Sequence, residues 1–158
     1  MLPPDVSSRI QRINDLLALV EPLVASADFK IQNVYSSHLA LLAAGLVENG
    51  VKDILSHYAG QHGDNRLKLY VGSAVSYENA LNCEKVKKIL ERFDSQWWTD
   101  FSASLTLEEK EAVDSLKNLR DQIAHGNHNG TGFQTVRSYY LAARTFVTKL
   151  GNLVTPAL

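Results

Sequence analysis

Residues 106–126 read TLEEKEAVDSLKNLRDQIAHG, and this stretch decides the fold class. Thr106 is followed three residues later by Glu109, the capping box that satisfies the free N–H groups at a helix start. Ala112, Val113, Leu116, Leu119 and Ile123 recur at three- and four-residue spacing, so one side of the helix must be buried. His125 closes the run and Gly126 supplies the residue that most easily takes the left-handed conformation after a helix. A helix from Thr106 to His125 is therefore expected.

The same period extends through the rest of the chain. Ile10, Ile13, Leu16, Leu17, Val20 and Val24 mark an amphipathic helix over residues 7–24, with a kink or early end expected at Pro22. Residues 34–58 form a second helix, apolar almost all round in its first half and so expected at the centre of the molecule. GQHGDN, residues 60–65, reads as a turn. Two shorter helices are expected over 66–77 and 83–93, the latter capped by Asn82. WWTDF, residues 97–101, fits no period and is expected to seal one end of the core. A last helix runs from Phe133 to Leu153, with Val136, Tyr139, Tyr140, Ala143, Phe146, Val147 and Leu150 as its apolar stripe. No strand pattern, repeat or low-complexity tract interrupts this. The expected fold is an all-α, up-and-down bundle of five or six helices forming one domain over residues 1–158.

Composition narrows the function classes. The 158 residues are 45% hydrophobic and 21% charged, the balance of a globular protein with a real core. Sixteen Lys and Arg residues against seventeen Asp and Glu residues give no charge-driven reason for tight nucleic-acid binding, though a local basic patch could still grip RNA briefly. The single cysteine, Cys83, can form neither an intramolecular disulfide nor a thiolate zinc cluster. The first residues lack a signal-peptide pattern, and the longest apolar stretch, HLALLAAGLVENGV (38–51), is too short to span a bilayer. A cytosolic location without membrane insertion is expected.

The side chains able to do chemistry gather near the end of the 106–125 helix. On a helical wheel Arg120 and His125 lie about 140° and about 7.5 Å apart. They flank a sector holding Lys117, Asp121 and Ala124, directed away from the apolar stripe. Asp121 lies four residues before His125, close enough to orient its imidazole. Two groups that far round one helix do not converge unaided. A second copy across a two-fold axis would bring two arginines and two histidines around one cleft. Spacing alone leaves the alternative open, since exposed helix faces ordinarily carry such residues.

NLRDQIAHG (118–126) resembles the signature of HEPN domains, whose ribonuclease members share arginine, four to six residues, then histidine. Here Arg120 and His125 enclose DQIA, with polar Asp121 directly after the arginine. LALLAAGLVENGVKDIL (39–55), NALNCEKVKKILERFD (79–94) and LTLEEKEAVDSLKNLRDQIAHG (105–126) resemble the RiboL-PSP branch, tied to prokaryotic conflict systems. The likeness covers residues 7 to 154.

The resemblance implies a metal-independent endoribonuclease, a toxin or defence effector acting on RNA as a homodimer, without cofactor or metal. It makes His125 a general acid or base and Arg120 the ligand of the scissile phosphate. Asn118 and Lys117 would contact the RNA backbone. Glu48, a carboxylate in an apolar helix, needs a partner; Arg120 across the bundle is favoured over Lys52 one turn along. HEPN toxins paired with a nucleotidyltransferase antitoxin often carry a tyrosine two residues after the histidine. Asn127 stands there, so control by an antitoxin or other regulatory protein would need a different target.

The same fold also serves without cleavage, so a non-catalytic module binding RNA or a protein is the alternative, and an interaction or immunity-type helical protein is a third. Other constellations are weaker: His125 with His128 lacks a third metal ligand, and His57 with His62 reads as surface. Residues 84–88 (EKVKK) form a basic patch that reads as a solvated face. Ser36, Ser37 and Ser73 lack the context of a nucleophile.

Overall fold

The computed structural model describes residues 1–127 and 130–156, and every regular element among them is a helix. In order these are α1 (Pro4–Val24), α2 (Phe29–His62), α3 (Asn65–Ser76), α4 (Cys83–Phe93), α5 (Ser95–Ser104), α6 (Leu107–Ala124) and α7 (Phe133–Val154). The all-α bundle expected from periodicity is thus observed, with seven helices among the described residues rather than five or six.

Local chemistry sets most of the starts. Asp28, Asp64, Asn82, Asp94 and Thr106 each accept a hydrogen bond from a backbone N–H in the first turn of α2 to α6. The capping box at Thr106 and Glu109 is complete, with bonds of 3.1 and 2.9 Å. Asp28 starts α2 five residues earlier than the apolar pattern alone suggests. The helix also runs through Gly60 to His62, so only Gly63 and Asp64 of the GQHGDN stretch leave it. Pro22 stays within the last turn of α1, which ends two residues later.

The WWTDF stretch belongs to α5, a helix that periodicity misses. Phe101 is fully buried and meets the Phe146 ring edge-on at 4.8 Å, while Trp97 meets Tyr58 at 4.9 Å. These aromatics close one end of the core, as expected.

α2 is the hub, packing against α1, α3, α6 and α7. Its buried side (Leu39, Ala43, Leu46, Val47, Val51, Ile54, Leu55) meets Val136, Tyr140, Ala143, Val147 and Leu150 of α7 within one apolar cluster. Gly50 allows the closest approach: a Cβ there would lie 2.8 Å from Cγ1 of Val147. α7 also clasps α1. The Tyr140 hydroxyl donates to Asn14 Oδ1 at 2.6 Å, Arg137 pairs with Glu21, and the Met1 ammonium donates to the Thr155 carbonyl at 2.7 Å. Among the described residues no helix is long and apolar enough to cross a membrane.

Candidate active site

α6 carries the site because its two faces differ. Ala112, Val113, Leu116 and Leu119 are buried against the core, which turns Lys117 and Arg120 toward the neighbouring α2 and the loop after α3. There Lys117, Arg120, Glu48, Ala44, Ala80 and Leu81 line one cleft. The Arg120 side chain is 39% exposed, so its guanidinium remains available to a ligand.

The polar groups interlock. Asp121 receives Lys117 Nζ at 2.7 Å and Arg120 Nη1 at 3.2 Å. The Lys117 hydrogen bond is the main influence holding the Asp121 carboxyl below its usual range, with the Arg120 bond adding to it against the cost of burial. Asp121 is therefore spent on the two cations. Its side chain makes no bond to the His125 ring, which is the role expected from the sequence; the backbone carbonyl of Asp121 instead accepts the His125 N–H at 3.0 Å.

Glu48 also has a different partner from the favoured one. Its Oε1 receives Lys52 Nζ at 3.2 Å and its Oε2 receives the Ala80 N–H at 2.7 Å. The favoured pairing with Arg120 is replaced because Lys52 lies one turn along the same helix and the Ala80 backbone is already presented. Ala80 sits in the left-handed region at φ 51°, a conformation that L side chains adopt only at a cost. The Glu48 carboxylate helps hold it there. With Lys52, Lys117 and Arg120 against Glu48 and Asp121, one positive charge is left over at this cleft.

His125 stands apart. It is the C-cap residue of α6, exposed, and its ring makes no hydrogen bond among the described residues. The turn beyond it is a Schellman motif: Gly126, at φ 75°, donates to the Ile123 carbonyl at 3.0 Å, and Asn127 donates to that of Gln122 at 2.9 Å. Asn118 is exposed and outside the cleft lining. The chain thus gathers Arg120, Lys117, Asp121 and Glu48, and leaves His125 and Asn118 outside the cleft lining.

The remaining constellations have structural partners or lie outside the description. His62 stacks on Tyr58 at 4.1 Å, and Lys88 pairs with Glu84 on an exposed face. His128 lies outside the described residues. Among the described residues no three His, Cys, Asp or Glu side chains gather to hold a metal ion. Ala80 and Leu81, which wall the cleft, carry no sequence signal that would single them out.

Residues 5–155 match the family described as RiboL-PSP-HEPN. The chain belongs to that family. The match covers all seven helices but for the first residue of α1, and so includes Arg120, His125 and the cleft between α2 and α6. No curated protein and no solved structure matches this RiboL-PSP-HEPN chain.

Proposed function

We propose that this RiboL-PSP-HEPN protein is a metal-independent endoribonuclease, a toxin or defence effector whose site is completed by a second copy. The observation that carries the reading is Arg120, partly exposed in a cleft beside Lys117, five residues before an exposed histidine whose ring has no hydrogen-bond partner among the described residues.

RNA carries its own nucleophile. In the proposed reaction a histidine accepts the proton of the 2′-OH as that oxygen attacks phosphorus. The bond from phosphorus to the 5′ oxygen breaks, and that oxygen leaves with a proton. The products are a 2′,3′-cyclic phosphate and a 5′-hydroxyl. Arg120 binds the phosphate and offsets the charge that grows on it, a task suited to a planar, permanently charged guanidinium. Asp121 positions Arg120 rather than His125. Lys117 adds positive potential, and Glu48 shapes the cleft wall through Ala80.

One histidine cannot at once take a proton on one side of phosphorus and give one on the other. An exposed His125 outside the cleft lining supports a two-fold assembly in which each copy supplies one. The non-catalytic alternative, a module that binds RNA or a protein, needs no such pairing.

Purified protein is expected to cut total cellular RNA in EDTA, and His125→Ala and Arg120→Ala are each expected to lower the rate at least about 100-fold while keeping the oligomeric state. Loss of cutting on removing divalent metal, or full activity in both variants, would sink the reading. Monomerising substitutions that leave the helices folded are expected to abolish cutting.

A further inference from the structure

We propose that the outward face of α3 is a stacking track for single-stranded RNA that leads into the Arg120 cleft. The inference rests on the ribonuclease reading for its direction, but it concerns residues outside the arginine–histidine pair.

α3 buries Val71 and Val75. At about 100° per residue, Arg66, Tyr70, Ser73 and Tyr77 fall within an arc of about 60° on the opposite side. Tyr70 is 73% exposed and Tyr77 is 82% exposed, and neither ring has a ring contact or hydrogen bond among the described residues. Both rings therefore present an open face on which a base could stack. Their seven-residue separation places them about 10.5 Å apart along the helix, enough for each to take a separate base. Ser73 between them is small and leaves the space above the helix open.

The surrounding charges suit a phosphate chain. Arg66, one turn before Tyr70, has no ion-pair partner among the described residues. Lys85 sets its ammonium group on the Asn79 carbonyl at 2.7 Å and has no ion-pair partner among the described residues, whereas Lys52, on the Ser76 carbonyl at 3.4 Å, is paired with Glu48. The neighbouring carboxylate of Glu78 is occupied by Arg92 at 2.7 Å. Three residues beyond Tyr77, Ala80 forms the wall of the cleft that holds Lys117 and Arg120. Aromatic faces interleaved with cations, followed within three residues of chain by the wall of the Arg120 cleft, match the chemistry of single-strand binding. A protein-docking helix would instead be expected to carry aliphatic residues at the Arg66 and Ser73 positions; the exposed Leu67 and Leu69 lie outside the stripe, one on each side of it.

The test measures binding and cutting separately. Binding is followed by fluorescence anisotropy with a short single-stranded RNA methylated at every 2′ oxygen, which lacks the nucleophile and cannot be cut. Tyr70→Ala and Tyr77→Ala are each expected to weaken binding roughly tenfold, the scale of one lost base stack. Phenylalanine at either position should bind like tyrosine, leucine should bind like alanine, and the same RNA as a duplex should bind poorly. Arg120→Ala should lose cutting of unmodified RNA and weaken binding by its own phosphate contact, while the further loss on replacing Tyr70 or Tyr77 stays the same in that background.

Native-like binding by the alanine variants, full binding by the leucine variants, or equal binding of duplex would overturn the track. Cutting in EDTA with native efficiency by the tyrosine variants would remove the track and leave the ribonuclease standing. Tyrosine-dependent binding by a protein that never cuts would do the reverse.

Discussion

Asp121 shows how a single side chain can be misassigned from spacing. It sits one turn before His125, where a carboxylate could orient an imidazole, yet Lys117 and Arg120 take it instead. Its carboxyl is held below the usual range, so its ion pairs persist above ordinary carboxylate pKa values and are lost only as pH falls through its lowered one. Between about pH 5 and 9 it stays charged, so on the ribonuclease reading any inflection in cutting rate there belongs to another group. Asp121→Asn is therefore expected to leave the shape of the pH–rate profile unchanged. It should tighten RNA binding a few-fold at low salt by freeing Lys117 and Arg120, with a steeper salt dependence by about one charge. Anisotropy titrations across a salt series check this. The partner of Glu48 was harder still to read, because it depends on a left-handed alanine. Ala80 carries none of the glycine or asparagine signal that usually marks such a backbone.

Where a helix begins was written locally, and where it ends was less so. Asn82 and Thr106 cap α4 and α6 as their residue types indicate. The α5 helix escaped notice because it is only ten residues long: Trp97, Trp98 and Phe101 share one side, within about 100° of arc, but the stripe has too few positions to display a period. α2 overran its expected end because a lone glycine costs a helix only about 1 kcal/mol, less than its packing returns. On the ribonuclease reading the end of α6 matters most, since Arg120 lies in the helix body and His125 on its Schellman cap. Gly126→Ala would place a Cβ on a left-handed residue at a cost of about 1 kcal/mol. Melting followed by circular dichroism is expected to fall by about 2–4 °C. On the ribonuclease reading the rate of cutting should drop further than that shift explains, while RNA binding through Arg120 is kept.

The class of the whole fold was legible because helices bury stripes, and stripes survive in a one-dimensional text. What the text withheld was docking: which helix lies on which, and how closely. Gly50 is the clearest case, since its need to be small comes from Val147 of α7, nearly one hundred residues away. Gly50→Ala gains helix propensity but presses on a β-branched side chain that has little freedom to turn aside. A net loss of about 1–2 kcal/mol is expected, and Val147→Ala in the same chain should recover part of it; chemical denaturation of the three variants measures both. The clasp between α1 and α7 belongs to this scale too, joining Asn14 to Tyr140, Glu21 to Arg137 and Met1 to Thr155. During synthesis α1 and α2 leave the ribosome long before α7 is translated, and until then the largest apolar face of α2 has nothing to close against. The core around α2 therefore closes only once α7 has emerged.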